Sequence, residues 1–317
     1  MSVIRFIAVL GMLVIPGLAP DSDVMMQGAE PIVVDHRSVA LFEQIPEAYL
    51  QAAENTSMFF ADRSVGDNIS AGLTCLSYAT DELAPDHCSR VEHLEPSYAV
   101  SPDEVNWSRP GGYSRANWQY YECIELDCFF DLVDQSPDDQ VVGLQPSYLD
   151  GPPKAEWFFQ PQDDRLDIYD LDAFEAAHPN QVFVYATSSL SRRTGNADSD
   201  SFNQQMRAYA TSHGKVLFDI ADILSHDPSG RPCYDNRDGV PYLTENYPDD
   251  GHDYAAICPQ YTTESEGGHL GSVSVGKIRV AKAFWVLMAQ IQGWNSPGPI
   301  DPPILSQHFY VPLIVRD

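Results

Sequence analysis

Two short segments at opposite ends of the chain carry residue types suited to nucleophilic chemistry. The first reads Ser57-Met-Phe-Phe-Ala-Asp-Arg-Ser64-Val-Gly66-Asp-Asn-Ile-Ser70. An apolar run ends there, and a serine sits where a strand would turn into a helix. In an open α/β sheet, ligands and catalytic groups collect at the carboxyl ends of strands. Free N–H groups at the start of the following helix can hold an oxyanion, and Gly66 lets the backbone approach a substrate closely. The plainer role for Ser64 is an N-cap for the helix beginning near Gly66. The second segment, Glu264-Ser-Glu266-Gly-Gly-His269-Leu-Gly271, stands just before a strongly helical pattern. A serine nucleophile needs a base that titrates near neutrality, which histidine supplies. That base needs an acceptor on its other ring nitrogen, and Glu266, three residues earlier, is spaced to provide one. The set Ser64, His269 and Glu266 is therefore a candidate for acyl transfer, although most of the chain's nine histidines must be bystanders.

A rival constellation is the run Asp249-Asp250-Gly251-His252-Asp253. Its oxygens could hold calcium and its imidazole a transition metal. It lacks the Asp-x-Asp-x-Asp-Gly spacing of an EF-hand loop, and charge runs of this kind usually face water. Asp249-x-x-His252 also repeats an acid-x-x-His spacing, but the terminal helical pattern follows His269, which ranks His269 first. No metal ligand set and no cofactor are expected from the sequence.

Strand candidates that would position these residues are Pro31–Val34, Ser57–Ala61, Gln140–Leu144, Gln181–Ala186 and Val216–Ile220. None alternates polar and apolar residues, the pattern of strands buried on both faces in a parallel sheet. Helical patterns fall between them at 39–53, 67–83, 118–134, 170–178 and 202–213. A last helix carries Ile278, Ala281, Phe284, Trp285, Met288 and Ile291 at three- and four-residue spacing, with Gly293 as its stop. Alternation of this kind predicts an α/β, doubly wound, mainly parallel five-stranded sheet flanked by helices in three layers. Residues 225–265 form a long polar loop holding two cysteines, and a loop that long is usually functional or tied down. Residues 295–317 read as a Pro/Gly linker followed by an apolar tail, Phe309–Val315.

Composition bounds the partners. With 18 Lys and Arg against 46 Asp and Glu, the net charge of −28 argues against nucleic acid, whose phosphates would be repelled. Residues 1–19 pair Arg5 with an apolar run from Phe6 to Ile15 and end on Gly17-Leu18-Ala19, the pattern of an export signal peptide. No later stretch approaches the ~18 apolar residues of a membrane span. The six cysteines (Cys75, Cys88, Cys123, Cys128, Cys233, Cys258) are an even set, which in an exported chain reads as disulfides. Pairing nearest neighbours would close three local loops. A zinc site competes poorly, because no Cys-x-x-Cys pair exists. The expected location is secreted or cell-surface.

The two segments, with what lies between them, resemble the SGNH (GDSL-like) hydrolase superfamily, and more closely an exported bacterial group in which a Ser-Val-Gly-x-Asn-Ile turn replaces Gly-Asp-Ser-Leu. The resemblance spans most of residues 30–294. It runs through Tyr113-Ser-Arg-Ala-Asn-Trp118, Val141-Val-Gly-Leu-Gln-Pro-Ser-Tyr148, Phe202-Asn-Gln-Gln-Met-Arg-Ala-Tyr-Ala210, Val216-Leu-Phe-Asp-Ile-Ala-Asp222 and Gly267-Gly-His269-Leu270. It implies an Asp-x-x-His block, here Glu266-x-x-His269, and an oxyanion hole from the serine N–H, a loop glycine and an asparagine side chain. Glu266 stands where the family has Asp. The family's Gly-x-Asn-Asp block is absent, and Gln145-Pro146-Ser147-Tyr148 occupies its place. Gln145 or Ser147 would then supply the missing donor beside the N–H of Ser64 and Gly112, the latter chosen over Gly111. The implied activity is hydrolysis of an extracellular ester, on a small molecule or a polysaccharide, with no cofactor. The aromatics Trp107, Tyr113, Trp118, Tyr120 and Tyr121 could form a sugar platform, against ordinary packing. The alternative function is an inactive scaffold of the same fold serving as a carbohydrate-binding or adhesion module.

Overall fold

The computed structural model describes residues 31–62, 65–78, 88, 118–146, 154–190, 197–235, 251–262, 270–271 and 275–297. Six strands form one all-parallel sheet: β1 (Val33–Val34), β2 (Met58–Asp62), β3 (Trp118–Glu122), β4 (Val141–Leu144), β5 (Val182–Ala186) and β6 (Val216–Phe218). Their order is β1-β6-β5-β4-β2-β3. The stretch from β3 to β6 repeats the 2-1-3-4-5 order of flavodoxin-type doubly wound folds, with β1 added beside β6.

The α/β three-layer architecture agrees with the sequence expectation, and the five expected strands are all present. The sixth, β3, lies at the start of the expected helix 118–134. Its aromatic run Trp118-Gln-Tyr-Tyr favours a pleated edge over a helix, and it pairs in parallel register with β2, Met58 opposite Trp118 and Asp62 opposite Glu122. The helix begins only at Leu126.

Alternation along the buried strands feeds two cores. Met58, Phe60, Val184, Ala186 and Phe218 face one side, against α1 (Glu47–Glu54), α2 (Gly66–Leu76), α7 (Ile220–Leu224) and α8 (Val275–Ile291). Phe59, Ala61, Val142, Leu144, Phe183 and Leu217 face the other. That side is covered by α3 (Leu126–Gln135), α4 (Ala155–Phe158), α5 (Ile168–Ala177) and α6 (Ala197–Ser212). The expected helix over 39–53 is a 3₁₀ turn, Ser38–Gln44, followed by α1. Pro46 causes the break, because it lacks an N–H to continue a helix but suits an N-terminal flank.

Trp118 stacks on Phe60 at 5.7 Å between centroids and meets Phe284 edge-on at 4.8 Å, so it is a packing residue. Cysteines pair as Cys75–Cys88, Cys123–Cys128 and Cys233–Cys258, the nearest-neighbour pattern. The last closes the described parts of the 225–265 loop, together with the bridges His226↔Pro232 and Tyr234↔Ala255. Three disulfides fit an oxidising, extracellular setting. No helix among the described residues is long and apolar enough to cross a membrane. The expected leader at 1–19 and the tail from 298 onward lie outside the described residues.

Helix α8 is buried on nearly all sides and docks closely on α2. A Cβ on Gly72 would fall 2.1 Å from the Lys277 carbonyl oxygen and 2.8 Å from Ala281 Cβ. Because the obstacle is backbone, the helices must move apart. Overpacking of this kind costs roughly 1–3 kcal/mol or more, which exceeds the ~1 kcal/mol of helix propensity that alanine offers over glycine. Gly72→Ala is expected to lower the urea midpoint. A raised midpoint would show that the α2–α8 approach is not tight.

Candidate functional site at the carboxyl edge of the sheet

The order of strands reverses at β2. Its neighbours are β3 on one side and β4 on the other, so the crevice of the topological switch point opens at the carboxyl ends of β2 and β4. Chain order delivers Asp62 to the end of β2, with Ser64 two residues on, and Gln145 to the end of β4. Of the candidate triad and oxyanion-hole residues, Gln145 lies among those described; Ser64, Gly112, Ser147, Glu266 and His269 do not, nor do Trp107 and Tyr113 of the expected aromatic platform.

The described flanks of the two chemical segments do meet. Asn68, buried in the first turn of α2, accepts a hydrogen bond through Oδ1 from the backbone N–H of Leu270 at 3.2 Å, across 202 residues of sequence. Leu270 directly follows His269, and α2 begins two residues after Ser64. The contact is supported from below. Leu270 is fully buried, and the Lys277 ammonium at the start of α8 donates to the Gly271 carbonyl at 2.7 Å. Gly276 passes so close to Tyr261 that a Cβ there would lie 2.4 Å from its carbonyl oxygen. At the other approach, a Cβ on Gly66 would fall 2.4 Å from the Tyr120 ring, so only glycine lets β3 close on the start of α2. The glycine expected to admit a substrate also admits a neighbouring strand.

Along the carboxyl edge of the sheet runs a row of buried polar side chains, of which the sequence pointed only to Gln145. Gln145 is 1% exposed; its amide N–H donates to the Thr187 carbonyl at 2.9 Å, while its Oε1 has no hydrogen-bond partner among the described residues. Thr187, just after β5, donates through Oγ1 to Asp219 at 3.0 Å. Asp219, just after β6, also accepts from Arg207 through Nε at 2.6 Å and Nη2 at 3.0 Å, and caps α7 through the Asp222 N–H. The row thus links the ends of β4, β5 and β6. Each member directly follows an apolar strand, and that was the readable signal.

Asp62 is the outlier. It is 1% exposed, and among the described residues no donor meets hydrogen-bond geometry with either carboxyl oxygen. Burial pushes its pKa up to about 7, against the lowering influence of the nearby Tyr120 side chain and the backbone groups of Gly66 and Val65. Perturbed carboxyls of this kind cluster at functional sites. In the rival acidic run, His252 and Asp253 are exposed, with the His252 ring stacked near Tyr254, and Asp249 and Asp250 lie outside the described residues.

Comparison of the chain with protein-family models, with curated proteins and with solved structures finds no match.

Proposed function

We propose that this chain is an exported serine ester hydrolase of the SGNH type, working at the β2/β4 switch point. Ser64 Oγ attacks the ester carbonyl, and His269 takes its proton and returns it to the leaving alcohol. Water then hydrolyses the acyl-enzyme by the same route. Glu266 orients the His269 ring. The oxyanion is held by the N–H of Ser64, by Gly112, and by Gln145 or Ser147.

The supporting observation is the Asn68–Leu270 hydrogen bond, which ties the helix after Ser64 to the residue after His269. The strand order adds to it, because it sets Ser64 in sequence just past the strand end where open α/β sheets hold their ligands. The three disulfides favour a substrate met outside the cell, a small ester or an acylated polysaccharide. One observation favours the second reading, an inert scaffold that binds without turnover. Gln145 is 1% exposed and its amide already donates to the Thr187 carbonyl, which argues against its serving as the oxyanion donor. A missing donor costs about 2.7–4 kcal/mol in serine hydrolases.

Short-chain p-nitrophenyl esters and an acetylated polysaccharide separate the two. The hydrolase reading expects saturable turnover with an initial burst from acyl-enzyme formation. It also expects Glu266→Gln to lower turnover by about 10³–10⁴-fold, through loss of the correct imidazole tautomer. Polysaccharide binding without release of acid or alcohol would leave only the inert scaffold. An unchanged rate in Glu266→Gln would remove Glu266 from the triad while leaving Ser64 and His269 in place.

A further inference from the structure

At the far edge of the sheet, away from the switch point, two histidines and an aspartate converge on one spot. His36 follows β1, while Asp222 lies in α7 and His226 just beyond it. Parallel pairing of β1 with β6 brings the two segments together, with the Asp219 N–H donating to the Val34 carbonyl at 2.9 Å. Asp222 and His226 are four residues apart, which sets them on one face at the end of a helix. His36 Nδ1 lies 2.5 Å from Asp222 Oδ2, and the His36 backbone N–H donates to the same oxygen at 3.0 Å. His226 Nδ1 stands 3.3 Å from the other oxygen, Oδ1. The two imidazole rings stack face to face, 3.9 Å between centroids and 11° from parallel.

We infer that His36, Asp222 and His226 form a binding site for a divalent transition metal, of the zinc, cobalt or nickel class. One donor atom from each residue falls within 4.8 Å of the others. An ion with bonds of about 2.0–2.2 Å to nitrogen and carboxylate oxygen sits within such a triangle after small side-chain rotations. Two imidazoles and a carboxylate are the donor set that such metals prefer over calcium or magnesium. The three side chains are 17%, 19% and 20% exposed, shielded yet open to an entering ion. Their frame is rigid. The His226 carbonyl accepts from the buried Tyr261 hydroxyl at 2.9 Å, and Arg279 Nε donates to the Ile223 carbonyl at 2.8 Å. The Cys233–Cys258 disulfide pins the neighbouring backbone through Cys233 N–H to Ser225 O at 2.7 Å and Cys258 N–H to Leu224 O at 2.9 Å. The backbone that carries the three side chains is thus held before the ion arrives. Binding needs the imidazoles to turn from their present hydrogen bonds, His36 Nδ1 to Asp222 Oδ2 and His226 Nδ1 to the Asp222 carbonyl at 3.0 Å. Three protein donors leave at least one position for water or an anion. The site stands on residues separate from Ser64, Glu266 and His269, so it does not depend on the ester hydrolase reading.

The test uses full-length, tag-free protein stripped with a chelator and then titrated with zinc, by calorimetry and by competition with a chromophoric chelator. Cobalt serves as a spectroscopic stand-in. One equivalent should bind with micromolar affinity or better, raise the thermal midpoint, and give a cobalt absorption band showing nitrogen ligation. His36→Ala and His226→Ala should each weaken binding by about 100-fold or more, beyond the 10–100-fold lost when outer partners of a metal site are removed. Circular dichroism and unchanged melting of the metal-free variants check that they fold. If neither folds, His36→Gln and His226→Gln replace them in the same titration. Absence of stoichiometric binding overturns the proposal. So does binding that survives the double variant, since the metal would then sit elsewhere on the chain.

Discussion

Ser64→Ala will lower ester turnover by about ten-thousand-fold or more, and His269→Ala by a comparable factor. The two losses should not multiply. Nucleophile and base act as one unit, so the double variant should be about as slow as either single one. Ester binding should change little, because neither substitution removes a donor from the Gln145–Thr187–Asp219 row at the carboxyl edge of the sheet. Thermal midpoints should also hold, since the Asn68–Leu270 hydrogen bond uses the Asn68 side chain and the Leu270 backbone and is kept in both variants. Rates measured on one chromogenic ester, with melting curves alongside, decide the matter. A serine variant that retains more than a tenth of the activity places the nucleophile elsewhere.

A second large effect concerns stability and its dependence on pH. In the folded chain, burial raises Asp62 from an ordinary carboxyl pKa of 3.8 to about 7. The folded state therefore holds this proton more tightly than the unfolded state does. Below about pH 4 both states are protonated, and Asp62 carries no penalty. As pH climbs from about 4 to 7 the unfolded chain ionises freely while the buried carboxyl resists, so stability falls. Above pH 7 the penalty is complete. A shift of roughly three units corresponds to on the order of 4 kcal/mol at most. Asp62→Asn keeps the shape and removes the titration. It is expected to leave stability nearly unchanged at pH 4 and to raise it by several kcal/mol at pH 8. Urea unfolding of both proteins across this range gives the difference curve. A flat difference, or one that rises toward acid, would mean that Asp62 is ionised and satisfied in the folded chain.

Much of the fold was legible because parallel strands buried on both faces leave uninterrupted apolar runs. Met58-Phe-Phe-Ala and Val182-Phe-Val-Tyr-Ala needed no tertiary information. Strand β3 was not legible, for a physical reason. It is an edge strand, unlike the fully buried β2 and β4, and only three residues separate it from α3, so strand and helix blurred into one pattern. The break at Ile45-Pro46 carried a readable signal, since the residue before a proline avoids the helical region.

The polar row was half visible. Gln145, Thr187 and Asp219 each mark the point where an apolar strand gives way to a polar residue. Which strands lie side by side, and therefore which of these side chains can touch, depends on a sheet order that no local pattern encodes. The same holds for His36 and Asp222. The Asp222–His226 spacing is local, but the partner 186 residues away arrives only through the β1–β6 pairing. The disulfides followed nearest neighbours because each closes a short loop, with separations of 13, 5 and 25 residues.

The claim at the centre of this account is that Ser64 is an activated nucleophile, made so by His269. A fluorophosphonate reagent reports that property directly, because it forms a stable adduct with a serine whose hydroxyl has a base beside it and an oxyanion site facing it. Treated protein is digested and the labelled peptide sequenced by mass spectrometry. The account predicts one adduct per chain, on Ser64, absent from Ser64→Ala and formed far more slowly in His269→Ala. An adduct on a different serine, or an unlabelled Ser64 in folded protein, would contradict it.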